Sequence, residues 1–183
     1  MDHFILAVKR ISQLCGIVAA ALTAVAVVVV CHMVFVRYVL NDHTIWQTDF
    51  VTFSLVAATF IGAPYVLLTK GHVNVDVLPL YAGPRARWWL ALFAILISLA
   101  FALIMTILTS QFWHEAWSNN WRSESVWRAR MWIPYGAMPL GLGVLTLQYV
   151  SDLICLVTGR EPPFGMAPNQ HVPAVEEIKE AGI

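Results

Sequence analysis

The sequence predicts an all-α integral membrane protein with four transmembrane helices, and composition and charge placement carry that expectation. Of 183 residues, 59% are hydrophobic and 12% are charged, about half the charge of an average soluble domain. The charges are also segregated. Asp, Glu, Lys and Arg are absent from Ile11 to Val36, Phe50 to Thr69, Trp88 to Trp113 and Met131 to Ser151. Each window reaches the roughly 20 apolar residues needed to cross about 30 Å of hydrocarbon. In lipid a backbone must satisfy its own hydrogen bonds, so each window is expected to be helical. That holds even for Val25 to Val30, a nearly unbroken β-branched run that would be a poor helix in water.

Taken in order, residues 1–10 form a short amphipathic start, with Phe4, Ile5, Leu6 and Val8 set against Lys9 and Arg10. The apolar run that follows passes Ala24-Val25-Ala26 and exceeds the 7–15 residues of a signal peptide's apolar region, so a retained helix is expected. The spans fall at about 11–37, 47–69, 88–113 and 133–157. The connection from Val39 to Ile45 is short and makes the first two spans an antiparallel hairpin. Gly71 can close the second span in the left-handed conformation. Residues His72 to Arg87, with Val73, Val75 and Val77 alternating with Asn74 and Asp76, read as a short interfacial segment. Trp88 and Trp89 suit the headgroup layer at the start of the third span. Pro134 opens the fourth, where its missing N–H matters least. Residues 1–160 thus make one four-helix membrane domain, and the Pro- and Glu-containing 161–183 a mobile cytoplasmic tail.

Four spans place both termini on one side. That side would carry Lys9, Arg10, Lys70, Arg85, Arg87, Arg160 and Lys179, against Arg37, Arg122, Arg128 and Arg130 opposite. The excess predicts cytoplasmic termini. Net charge is zero, which leaves no basic field for nucleic acid. Cys15, Cys31 and Cys155 are scattered, without ligand spacing, and read as small apolar side chains.

No span interior holds a charged residue of the kind that lines an ion or proton pathway, and no nucleophile sits with a recognisable base, so an enzyme is not expected. Small residues recur at four-residue spacing instead: Gly16/Ala20/Ala24, Ala58/Gly62, Ala94/Ser98/Ala102/Thr106 and Ala137/Gly141. Such stripes let helices approach closely in lipid. Arg37, where the first span ends, and Asp49, where the second begins, each complement a helix dipole and lie at a depth where they could pair. Trp113, Trp117 and Trp121 are expected on one helical face. With Trp127 and Trp132 they form an interfacial belt, while Trp117, Trp121, Arg122 and Arg128 are candidates for docking an external protein, since Trp and Arg are typical interface anchors. A haem-carrying redox anchor is the alternative function, its one plausible ligand pair being His32 and His114.

These motifs together resemble one family. Trp46 with Asp49, Phe60-Ile61-Gly62-Ala63, Gly71-His72-Val73-Asn74-Val75-Asp76, Ile133-Pro134-Tyr135, Met138-Pro139-Leu140-Gly141 and Arg37-Tyr38 are similar, in order, to the small Q-type membrane subunit of tripartite ATP-independent periplasmic (TRAP) transporters. The resemblance covers about residues 10–158. Thr48-Asp49 stands where that family often has two adjacent acids. The resemblance implies a small permease subunit of the bacterial inner membrane, with no cofactor. It would scaffold a large membrane subunit for sodium-driven uptake of an organic acid or similar carboxylate delivered by a periplasmic binding protein. On this reading Arg37, Trp46, Asp49, Gly62, Gly71, His72, Asp76 and Pro134 are the candidates for assembly and anchoring among lipids and partner.

Overall fold

The computed structural model describes residues 2–69 and 84–158. It contains four helices: α1 Asp2–Val39, α2 Gln47–Leu68, α3 Pro84–Ser118 and α4 Trp132–Val157. All four are long and apolar enough to cross a membrane. The expected interfacial segment at His72 to Arg87 lies largely outside the described residues, and the tail 161–183 wholly so.

Two helices extend well beyond their expected spans. α1 has 38 residues, about 57 Å at 1.5 Å per residue, and absorbs the amphipathic start that the sequence set apart. The reason is packing: Val8 and Ser12, one turn apart, are both buried, so the segment holds to the bundle as helix. α3 has 35 residues, and it too continues past the apolar window at both ends.

The helices pack as two antiparallel hairpins, α1–α2 and α3–α4, joined chiefly by α2 against α4, with a lighter α1–α4 contact. α4 is therefore the hub. In its most apolar stretch 28% of residues are buried, against 6% in α1. Apart from Leu156, its buried positions Pro134, Ala137, Gly141, Gln148, Ser151 and Cys155 follow alternating three- and four-residue steps, with one step unfilled, the repeat of helices crossing at a shallow angle. α1 and α3 lie on the outside and present large apolar side chains, including Ile17, Val28, Ile97 and Phe101, to their surroundings.

Small residues mark the close contacts, though not always those of the expected stripes. Gly16 faces the Tyr65 ring and Gly62 faces Ala19, but Ala20, Ala24 and Ala94 are exposed. The packed stripe of α1 runs through Gly16, Ala19 and Ala26 instead. Four residues turn a helix by 400°, so a strict four-residue stripe drifts about 40° per step off a straight contact face.

The tightest contact joins α2 to α4. Pro64 is fully buried inside α2 and has no N–H to donate to the Phe60 carbonyl one turn earlier. A Cβ at Gly141 would overlap that Phe60 carbonyl and lie 2.9 Å from the Ile61 nitrogen. The backbone of α4 thus covers a carbonyl that proline has left without its intrahelical donor.

Two substitutions separate this contact from a general dislike of side chains in α4. Gly141→Ala should lower the thermal midpoint of the detergent-purified protein, with a cost on the order of 1–3 kcal/mol for overpacking. Gly143→Ala, whose Cβ would meet Thr106 Cγ2 at 4.0 Å, should leave it nearly unchanged. Equal midpoints for the two variants would contradict the assignment.

Candidate functional site

Two ends of the bundle are held by different chemistry. At the near end, where α1 starts and α4 finishes, Ser12 Oγ donates to Gln148 Oε1 at 2.9 Å, and Gln148 Nε2 donates to Asp152 Oδ1 at 3.0 Å. Ser12 and Gln148 are both buried. A search for charged residues alone passes over this chain, because Ser12 and Gln148 sit quietly within charge-free windows. Midway, Thr106 and Thr146 hydroxyls meet at 3.1 Å between α3 and α4.

At the far end, where the α1–α2 and α3–α4 connections lie, the sequence candidates are distributed as follows. Arg37 is exposed in the last turn of α1, and its Nε donates to Thr44 Oγ1 at 2.7 Å. The connection itself turns through Asn41, whose φ is 50°. Trp46 precedes α2 and meets Phe50 edge-on at 5.9 Å. Asp49, in the first turn of α2, accepts a hydrogen bond from Ser125 Oγ. Arg37 and Asp49 are therefore held by separate partners rather than by each other.

The partner of Asp49 comes from the connection between α3 and α4. α3 stops at Ser118 because Asn120 takes a left-handed conformation, φ 48°, which Asn tolerates better than most residues. Trp121 N–H then bonds the Ala116 carbonyl and Asn120 N–H the Trp117 carbonyl, the paired closure of a Schellman motif. Trp121 is thus off the helix and packs against Phe112 at 5.5 Å, so the three tryptophans do not share one helical face. Trp113 and Trp117 do cluster, joined by Trp132, whose carbonyl accepts from Trp113 Nε1 at 3.0 Å.

Beyond Trp121 the chain forms a small antiparallel turn. Met131 N–H bonds the Trp121 carbonyl and Ser123 N–H the Ala129 carbonyl, flanking a bridge between Arg122 and Arg130. Its tip folds onto the start of α2, where Trp127 stacks on Phe53 at 6.5 Å and Ser125 reaches Asp49. Arg122 and Arg128 are exposed and Trp117 is half-exposed. Of the remaining candidates, Gly62 packs on α1 and Pro134 is buried in the first turn of α4. Gly71, His72 and Asp76 lie outside the described residues.

Between α1 and α2 lies an open groove of about 450 Å³ lined by Gly16, Ala19, Thr23, Thr59, Gly62 and Ala63, among others. Thr23 and Thr59 donate to carbonyls of their own helices, so the groove presents an apolar wall. His32 and His114 are both exposed, on α1 and α3, which do not form a packed pair. The chain by itself does not bring that pair together.

Comparison with known proteins adds identity to this geometry. The family model described as tripartite ATP-independent periplasmic transporters, DctQ component, matches residues 26–159. A relative, the C4-dicarboxylate TRAP transporter small permease protein DctQ of Vibrio cholerae serotype O1, is 27% identical over 148 residues. That match covers 69% of this chain and 64% of the relative, so the chain spans just under two thirds of the relative's length. No solved structure matches.

Asp49 and Ser125 should be energetically coupled. Asp49→Ala and Ser125→Ala are each expected to destabilise the purified protein. A hydrogen bond to a charged group is worth roughly 1.5–3 kcal/mol, and the double variant should cost clearly less than the sum of the singles. Strict additivity of the thermal shifts would show that the contact does not hold the far end together.

Proposed function

The chain belongs to the DctQ-component family of tripartite ATP-independent periplasmic transporters, and from that premise we propose that its bundle scaffolds a large membrane subunit during sodium-driven uptake of a carboxylate. Membership makes it a small permease subunit, a transporter component rather than an enzyme, in the bacterial inner membrane. The cargo proposed is an organic acid or similar carboxylate, handed over by a soluble binding protein on the periplasmic side. The relative's name specifies C4-dicarboxylate. With cytoplasmic termini the far end faces the periplasm.

One observation supports scaffold over conduit most directly. Several polar groups inside the described spans are engaged with one another or with their own helices, while Gln47 Oε1, buried in the first turn of α2, has no partner among the described residues. Ser12, Gln148 and Asp152 form one chain, Thr106 meets Thr146, and Thr23, Thr59 and Thr109 bond carbonyls of their own helices. A polar solute or ion needs such groups presented along a path, and these are already engaged. Meanwhile α1 and α3 offer broad apolar faces, among them Ile17, Val28, Ile97 and Phe101, as a helical partner or lipid requires. Arg37, Trp46 and Asp49 then serve assembly by fixing the far end of that surface.

Proteoliposomes containing this chain alone should show no uptake, and removing it should abolish uptake by its large partner. Transport by the chain alone would sink the proposal. Arg37→Ala or Asp49→Ala should lower the yield of assembled complex by severalfold while the substrate affinity of what assembles stays the same. Full yield with altered affinity would instead place these residues in the transport path.

A further inference from the structure

The bridge at the far end sets two arginines directly against each other. The hydrogen bonds from Ser123 to Ala129 and from Met131 to Trp121 flank Arg122 and Arg130, which makes them a non-hydrogen-bonded antiparallel pair. In such a pair the two Cα atoms approach to about 4.5 Å and the side chains leave on the same face. Like charges placed directly opposite destabilise an antiparallel pair. Both arginines are exposed, and neither forms an ion pair with an acid among the described residues. Glu124 follows on the same connection without joining them, and Asp49 is engaged by Ser125.

The pair stands on an anchored base. Trp121 packs on Phe112 of α3, Trp127 stacks on Phe53 of α2, and Ser125 is held by Asp49. Because side chains alternate along an extended strand, Arg122 points opposite to Trp121, away from the helices. Arg128 adds a third exposed cation, held with φ 50° as the turn closes. From Trp121 to Met131 the segment carries Arg122, Arg128 and Arg130 against Glu124.

We propose that Arg122 and Arg130 together receive a carboxylate from an acidic surface of the soluble binding protein. This rests on the subunit reading above and deepens it by naming the contact. Two adjacent guanidinium groups present parallel N–H donors that match a carboxylate, and an anion between them removes the repulsion that the free pair carries. The packed base keeps the donors in place before the partner arrives, which limits the ordering cost of binding.

The test uses the assembled membrane complex in nanodiscs of a zwitterionic lipid and the purified binding protein as probe. Arg122→Gln with Arg130→Gln should weaken binding roughly tenfold or more and flatten its dependence on salt, as expected for charges at an interface. Arg122→Lys with Arg130→Lys keeps the charge without the planar donors and should recover part of the loss. Arg85→Gln, at the opposite end of the bundle, should change nothing. Unaltered affinity of the double Gln variant in an intact complex would overturn the docking pair alone. A defect that appears only when anionic lipid is present would also overturn it, by assigning the arginines to lipid phosphate. Failure of the unsubstituted chain to co-purify with a large membrane subunit would instead overturn the subunit reading.

Discussion

Gly141 lacks a side chain at the point where the Phe60 carbonyl needs the room, and the arrangement of the four helices depends on that contact. Lipid offers no water to satisfy a carbonyl that Pro64 has deprived of its donor, so the site must be covered by protein. A glycine on the neighbouring helix allows backbone to approach backbone. Once α2 and α4 are that close, α1 follows α2 through Gly16–Tyr65 and Gly62–Ala19. α3 follows α4 through Thr106–Thr146 and the Trp113–Trp132 bond. The hub position of α4 thus rests on a glycine at its α2 face and on hydrogen bonds at its α3 face.

Polar contacts then fix what close packing leaves free to slide. Ser12–Gln148–Asp152 ties α1 to α4 at one end, and Asp49–Ser125 ties α2 to the α3–α4 connection at the other. Interhelical hydrogen bonds in membranes are individually modest, about 0.6–2 kcal/mol. Their placement at opposite ends gives them leverage over helix register and tilt. Within the bundle, the Ser12–Gln148–Asp152 contacts also occupy polar groups that a solute path would need, which is why they favour the scaffold reading proposed above.

The four spans were legible because lipid leaves a charge-free run of about 20 residues no alternative to helix. Their true ends were not. Charged residues such as Lys9, Arg10 and Arg85 are tolerated in a helix once it leaves the hydrocarbon, and Val8 is packed beyond that limit. Asp49 stood out as an acid at a helix start, whereas its partner Ser125, 76 residues away, carries no distinguishing mark. The four-residue spacing of Trp113, Trp117 and Trp121 predicts one helical face, yet Trp121 lies past the helix end. Asn119-Asn120, where the chain leaves the helix, was the available signal for the Schellman closure and the turn that brings Arg122 beside Arg130.

A scaffold in this sense is a body that keeps its shape while its partner moves. The most direct measurement is the distance between spin labels at Tyr38 on α1 and Gln111 on α3, both exposed, after Cys15, Cys31 and Cys155 are replaced. It should be made in the assembled complex, with and without sodium and a carboxylate substrate. The account predicts one narrow distance distribution that does not change across these conditions. A second population, or a shift of several ångströms on adding sodium and substrate together, would contradict it and make the small subunit part of the moving machinery.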